Sequence, residues 1–135
     1  MTRPELRLLR GGGFAYGQLP EVVAEVAALE VRYPGVRADL IALIGKAVAT
    51  GITDERLVTY PVSRHREIGE IRLNIRDLLF RLYVTAPTPP PPDILGLLFA
   101  LKDVGLEDVK SAQNDDIDHA AVRSARYMLQ RATGR

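Results

Sequence analysis

Two arginines in the middle of the chain have a spacing that favours the binding of an anion. The segment 67–85 alternates apolar and polar residues, which is typical of two β-strands joined by a tight turn. A turn centred on Arg76 and Asp77 places Arg72 directly opposite Arg81. Because like charges repel when they face each other across an antiparallel pair, this arrangement suggests a site for phosphate, and therefore for nucleic acid.

The rest of the predicted hairpin register follows from the same turn. Tyr83 lies opposite Glu70 on the face that carries the two arginines. The other face is apolar and contains the pairs Ile75–Leu78, Leu73–Phe80 and Ile71–Leu82. A purely structural interpretation also remains open, in which Glu70 and Asp77 neutralise the arginines on a salt-bridged sheet face.

Positive charge is concentrated around this hairpin. The formal net charge of the chain is only +1, but residues 56–83 contain six arginines and three acids, whereas residues 103–119 contain six acids and one lysine. The low net charge argues against a protein that coats nucleic acid along its length. The segregation of charge predicts a basic sheet face and an acidic connection elsewhere.

The composition also limits the choice of cofactors and location. The absence of cysteine excludes disulfides and thiolate metal sites, and His65 and His119 lack metalloprotease spacing, so we expect neither a metal nor another cofactor. Glycines 11–13 lack the following lysine of a phosphate loop and indicate a flexible turn. The N-terminal residues show no signal segment, and the apolar run Ile94–Leu101 is too short to cross a bilayer. These features predict a cytoplasmic protein without membrane contact.

A helical hairpin is predicted before the β-hairpin. Pro20 suits the first position of a helix, because its missing N–H costs nothing there, and the sequence Tyr-Pro-Gly at residues 33–35 ends that helix. A second amphipathic helix is predicted over Val36–Thr50, with Gly51 as its stop. The short break implies two antiparallel helices whose apolar stripes cover a sheet.

The other elements complete an α+β domain that spans residues 1–135. Strands are predicted at Glu5–Arg10, Leu57–Val62 and Ile94–Leu101, the last one buried on both faces. We expect an exposed polyproline connection at 87–92 and an acidic, irregular segment at 103–118. The order β-α-α-β-β-β-β-α describes a small antiparallel sheet with the helical hairpin on one face and a C-terminal helix.

The C-terminal helix is predicted at roughly Asp116–Arg131. Its apolar side contains Ile117, Ala121, Ala125 and Met128. His119, Arg123, Arg126 and Tyr127 lie on or near the other flanks of this predicted helix.

This succession of elements resembles the RelE/HigB toxin superfamily, in particular its phage-associated branch. That branch typically shows a helical hairpin, a strand reading roughly "lwElR", a strand reading "yRvlY", and an apolar strand that ends in lysines. The counterparts in this chain are Ile68–Arg72, Phe80–Tyr83 and Leu95–Lys102, and Asp116–Arg123 is similar to the closing segment of the family. The resemblance covers about residues 19–131, and it lies in the order and spacing of short motifs.

The resemblance implies the toxin of a type II toxin–antitoxin system. Such a toxin is a ribosome-dependent endoribonuclease that cleaves mRNA without a metal, and a cognate antitoxin protein neutralises it. In this chemistry the 2′-hydroxyl attacks the adjacent phosphate, and basic side chains on a rigid sheet stabilise the developing charge.

The resemblance also implies roles for individual residues. Arg72 and Arg81 would contact phosphate on an open sheet face, and Tyr83 would position a base or the phosphate. His65 or His119 would supply acid–base chemistry. The basic residues expected to contact RNA around this site are Arg64, Arg66, Arg76 and Lys102.

Two other functions remain open on the same fold. One is a ParE-like toxin that binds a protein target such as a topoisomerase, and the other is a phage- or prophage-derived interaction module without catalysis. The low net charge and the single lysine, Lys102, after the last predicted strand favour these two. The facing arginines favour the nuclease.

Overall fold

The structure, a computed structural model, describes residues 9–11, 14–50, 58–59, 65–102 and 109–134. In this part of the chain, four strands of five or more residues form a mixed sheet, two short strands extend it at its edges, and three helices pack against it. The elements are β1 Leu9–Gly11, β2 Phe14–Gln18, α1 Pro20–Arg32, α2 Val36–Thr50, β3 Val58–Thr59, β4 Gly69–Ile75, β5 Leu78–Thr85, β6 Ile94–Lys102 and α3 Val109–Ala132. The strand order is β1-β2-β6-β5-β4-β3.

The predicted β-hairpin is confirmed in its register. Strands β4 and β5 pair antiparallel, with Arg72 opposite Arg81 and Glu70 opposite Tyr83. The three predicted apolar pairs are also present. Arg76 adopts a φ of 55° at the turn, so a two-residue connection closes the hairpin, as the sequence predicts.

The prediction of an all-antiparallel sheet is wrong. Strand β2 pairs with β6 in parallel, with Tyr16 opposite Ile94 and Gln18 opposite Gly96. This five-residue strand was not predicted, because a short segment between a glycine run and a helix start carries too few alternating positions to stand out. Antiparallel pairing holds for the remaining strands.

The other strand predictions are confirmed in part. Strand β6 is central and buried on both faces along most of its length. The first predicted strand overlaps β1, and the predicted strand at 57–62 contains β3, but residues 1–8, 57 and 60–62 lie outside the described part of the chain. Glycines 12 and 13 also lie outside it.

The helical hairpin has the predicted bounds. Helix α1 begins at Pro20, and α2 runs over Val36–Thr50. The hairpin packs on the apolar face of the sheet, where the ring of Tyr33 meets Phe80 edge-on at 5.7 Å between centroids. Phe80 in turn stacks on Phe99 of β6. These aromatic contacts join α1 to the middle of the sheet.

Helix α3 begins earlier than predicted. It starts at Val109, so residues 109–118 are helical and do not form the predicted irregular acidic segment. Residues 103–108 lie outside the described part of the chain. Its buried side is formed by residues at helical spacing, which are Ile117, Ala120, Ser124 and Tyr127. Ala125, predicted to face inward, is exposed, and Arg123, predicted on a flank, is buried.

The polyproline segment connects β5 to β6 without regular structure. The prediction of an exposed connection at 87–92 is confirmed for residues 88–91 and is wrong at Pro87 and Pro92, which are buried. None of the described helices is long and apolar enough to cross a membrane.

Candidate functional site: the arginine face and the helix that covers it

The face of the sheet that carries the paired arginines lies beneath α3. Gln113 of α3 donates a hydrogen bond to the Glu70 carboxylate at 3.1 Å, and it also interacts with the Tyr83 hydroxyl. Tyr83 is only 1% exposed and Arg81 only 7%. The expectation of an open sheet face is therefore wrong at these two residues. Tyr83 contacts α3 through Gln113, and Arg81 is buried among groups of β4 and β5.

Arg81 is bound by groups of its own hairpin. Its Nη1 atom donates to the Asn74 side-chain carbonyl at 3.0 Å and to the Phe80 backbone carbonyl at 2.8 Å. Its Nε atom lies 4.0 Å from a Glu70 oxygen. Burial lowers the pKa of Arg81, while the Glu70 carboxylate opposes that change by favouring the charged form.

The facing arginines are thus stabilised from within the protein. Arg72, half-buried opposite Arg81, also lowers the pKa of Arg81 through like-charge repulsion. Asn74, the Phe80 carbonyl and Glu70 surround the Arg81 guanidinium, whose Nε atom is buried without a hydrogen bond to a described residue. This geometry supports the part of the structural interpretation in which Glu70 neutralises an arginine of the pair.

Tyr83 is held in its neutral form. Burial is the main cause that raises the pKa of Tyr83, and the carboxylates of Glu70 and Asp116 raise it further, while the hydrogen bond with Gln113 opposes them. A tyrosine in this environment keeps its proton at neutral pH. It serves as a hydrogen-bonding group in the packed interface and is not accessible to a nucleic-acid base.

Asp116 belongs to this cluster, although the sequence pattern did not single it out as a site residue. Burial, then the neighbouring Asp115, raises the pKa of Asp116, and His119 one turn along α3 lowers it. His119 is exposed at the margin of the cluster. Extending the helical spacing of Ile117 and Ala120 backwards would have indicated that residues 113 and 116 face the sheet.

His65 lies in a separate, acidic environment. Its Nε2 atom is 2.9 Å from Asp118 of α3, and its Nδ1 atom is 3.4 Å from Glu67. The imidazole therefore links the segment before β4 to α3, and both of these partners are carboxylates.

The residues predicted to contact RNA do not gather around the arginine pair. Arg66 and Arg76 are exposed, but they lie at opposite ends of β4, one before the strand and one in the hairpin turn. Lys102 is half-buried at the end of β6 and pairs with Leu79, at the same end of the sheet as Arg76. Arg64 lies outside the described residues.

A second buried ion pair was missed by the sequence reasoning. Arg123 of α3 donates from Nη1 to the Leu97 carbonyl at 2.9 Å and to Glu25 of α1 at 3.0 Å. Glu25 also accepts a hydrogen bond from the Phe99 N–H at 3.1 Å. The pair satisfies backbone groups of β6 beyond Gly96, where the pairing with β2 ends. The two residues are 98 positions apart, so no local spacing signals their contact.

Among the described residues, no group of three or more acidic, histidine or cysteine side chains could hold a metal ion. Comparison with known proteins finds no match to this chain among protein-family models, curated proteins or solved structures. The functional argument therefore depends on the geometry of the chain itself.

Proposed function

We propose that this protein is the toxin of a type II toxin–antitoxin pair, built on a RelE/ParE-type fold, and that it acts by binding a protein target. Support for the fold comes from the three motif segments that resemble the family. They lie on the adjacent antiparallel strands β4, β5 and β6, and a helical hairpin packs against one face of these strands.

The single observation that favours protein binding over RNA cleavage is the environment of Arg81. Its guanidinium donates to Asn74 and to the Phe80 carbonyl, it lies beside Glu70, and it is 7% exposed. A phosphate would have to displace these partners before it reached the guanidinium. The acids around the cluster add electrostatic repulsion against RNA.

The partners follow from this proposal. A cognate antitoxin protein neutralises the toxin, and the cellular target is a protein of the kind that a ParE-like toxin binds, such as a topoisomerase. The interaction requires neither a metal nor a small-molecule cofactor. Shape and charge complementarity on the protein surface then determine the choice of target.

A ribosome-dependent endoribonuclease is the second candidate, and one observation favours it. Arg72 does oppose Arg81, and the Nε atom of Arg81 is buried without a hydrogen bond, so the pair retains capacity for a further acceptor. In this candidate α3 leaves the sheet on the ribosome, so that Tyr83 and the arginine pair become accessible to RNA. The cost of exposing Tyr83 and the buried side of α3 weighs against it.

Induced expression in bacteria tests the proposal. We expect growth arrest after induction of the wild-type protein and recovery of growth when its antitoxin, sought among the products of the neighbouring genes, is co-expressed. The variant Arg72→Ala, at a half-buried position, should cause the same arrest if the target is a protein. Arrest that disappears in a folded Arg72→Ala protein would favour the nuclease, and no arrest by the wild type would overturn the toxin assignment.

A further inference from the structure

An apolar groove runs between the two helices of the hairpin, on the side away from the arginine face. It encloses about 790 Å³, and Tyr16 and Gln18 of β2 lie among its lining residues. The Tyr16 hydroxyl donates to the Gln18 side chain at 3.0 Å, so these polar groups are already paired with each other. What remains accessible in the groove is mostly apolar surface.

The lining residues of α1 follow a helical repeat. Val23, Val26, Ala27 and Glu30 have the spacing i, i+3, i+4 and i+7, so they form one continuous stripe about 10 Å long. Val26 is buried against the core, whereas Val23 is 55% exposed. The stripe therefore presents apolar surface toward solvent from Val23 to Ala27, over about one helical turn, and ends in the charged Glu30.

The lining residues of α2 follow the same repeat. Arg37, Leu40, Ile41 and Ile44 again have the spacing i, i+3, i+4 and i+7. Leu40 and Ile44 are buried, and Ile41 is 51% exposed. Two antiparallel helices with matching stripes leave a seam of the kind that a third helix fills in a helical bundle.

The two charged residues of the groove, Glu30 and Arg37, differ in whether they are free to pair with a ligand. Glu30 is already used, because its two carboxylate oxygens accept hydrogen bonds from the backbone N–H groups of Gly35 at 2.6 Å and Arg37 at 3.3 Å. The Arg37 side chain is exposed, and within the described part of the chain its guanidinium has no hydrogen-bond or ion-pair partner. The groove thus offers one available positive charge at the end near the interhelical turn.

We propose that this groove binds an amphipathic helix of a partner protein, with apolar residues at i, i+3 or i+4, and i+7 and a carboxylate that pairs with Arg37. The apolar side chains of the partner helix cover Val23 and Ile41. Its carboxylate pairs with the Arg37 guanidinium, because the Glu30 oxygens are already bound to two backbone N–H groups. This inference stands independently of whether the protein is a toxin, because it depends only on the groove and its charge. It predicts a binding surface on the sheet face opposite Arg81.

Peptide selection against the full chain tests the proposal. Helical peptides of about 16 residues, or ~24 Å of helix, are selected from a displayed library, and the affinity of one selected peptide is measured by fluorescence anisotropy. We expect the selected sequences to combine the apolar repeat with an aspartate or glutamate. Val23→Asp and Ile41→Asp should each weaken binding by about tenfold or more, because each places a carboxylate in a desolvated apolar contact.

Matched controls separate the groove from general effects. Val31→Asp changes a valine of α1 that lies outside the groove and is more exposed than Val23, at 86%, and it should leave the affinity unchanged. Arg37→Glu should weaken the selected peptide, and a peptide with lysine in place of its carboxylate should regain affinity for that variant. Thermal unfolding of each variant verifies that it remains folded.

Four results would overturn the proposal. The first is selection of peptides that lack the apolar and acidic pattern. The second is binding that Val23→Asp and Ile41→Asp do not affect. The third is concentration-dependent self-association that these variants abolish, which would assign the groove to a second copy of the chain. The fourth is peptide binding that strengthens manyfold after removal of residues 1–8, which would assign the groove to the chain's own segment.

Discussion

Buried charge in this protein is stabilised by partners that are distant in the sequence. Arg123 and Glu25 lie on different helices, and together they satisfy a carbonyl and an N–H of β6. Their side chains are 10% and 26% exposed, so water replaces little of the interaction if one partner is lost. The pair therefore connects α1, α3 and the part of β6 that extends beyond its pairing with β2.

Removal of Arg123 should be costly. We expect Arg123→Met to lower the free energy of unfolding by about 3–5 kcal/mol, because it leaves the Glu25 carboxylate and the Leu97 carbonyl without their partner. Urea unfolding measures the effect. Arg126→Met is the matched control, since Arg126 pairs with Glu21 on the surface and should contribute only about 0–1 kcal/mol. Equal losses in the two variants would contradict the structural role of the buried pair.

Two buried tyrosines make the free energy of unfolding change with pH in the alkaline range. Burial raises the pKa of Tyr83 and of Tyr16 above the ordinary value of about 10. The folded protein therefore retains protons that the unfolded chain releases. This contribution to stability is fully present below about pH 10 and is lost as the pH rises from there toward the pKa of the folded state.

We expect the free energy of unfolding to fall above about pH 10, by up to ~1.4 kcal/mol per pH unit for each of the two tyrosines. The free energy of unfolding of Tyr83→Phe should fall less steeply with pH than that of the wild type, because one of the two tyrosine hydroxyls that titrate on unfolding is removed. Urea unfolding at about pH 9, 10 and 11 measures both slopes. Parallel slopes would mean that Tyr83 is exposed to solvent in the folded protein.

At the scale of the elements, the sequence determines some boundaries and leaves others undefined. The hairpin register follows from strict alternation and one tight turn, because a slip by one residue would turn every apolar side chain to the wrong face. Pro20 and Gly35 delimit α1 for equally local reasons. These predictions needed no information from distant parts of the chain.

The start of α3 could not be obtained in that way. Acidic residues and Asn114 lower the local helix propensity, so the sequence predicts a helix start only near Asp116. In the structure, packing extends the helix to Val109, and the Gln113–Glu70 hydrogen bond attaches this part to the sheet. Tertiary contacts thus outweigh a weak local preference.

Packing of α3 on the sheet should be measurable with one pair of variants. Ile117 is 6% exposed on the inner side of α3, and Val122 is 64% exposed on its outer side. We expect Ile117→Ala to lower the free energy of unfolding by about 2–4 kcal/mol, through lost apolar burial and a residual cavity. Val122→Ala should change it by less than about 0.5 kcal/mol. A similar small effect for both variants, measured by urea unfolding, would indicate that α3 does not cover the arginine face.

At the scale of the whole molecule, what the two facing arginines can bind depends on the groups that pack around them. Their opposition across β4 and β5 was predictable from the sequence, but the presence of Asn74, Glu70 and α3 around Arg81 was not. Alternation along a strand indicates which residues share a face, whereas it carries no information about what packs on that face. The sequence therefore predicts the register of the candidate site correctly but does not predict how accessible its residues are.

The two faces of the molecule have different properties. On one face Gln113 of α3 binds Glu70 beside the arginine pair, and on the other the helical hairpin leaves an apolar groove with Arg37 at its end. The proposal that this protein binds other proteins rests on these two features.

Mapping of mRNA 5′ ends after induced expression in bacteria tests this account most directly. Ends are compared in cells that express the wild type, Arg72→Ala, or no protein, at equal times after induction. The account predicts growth arrest in both protein-expressing cultures and no new mRNA ends above those of the control. New ends that appear with the wild type and disappear with a folded Arg72→Ala protein would contradict it, because they would show that the arginine face reaches RNA.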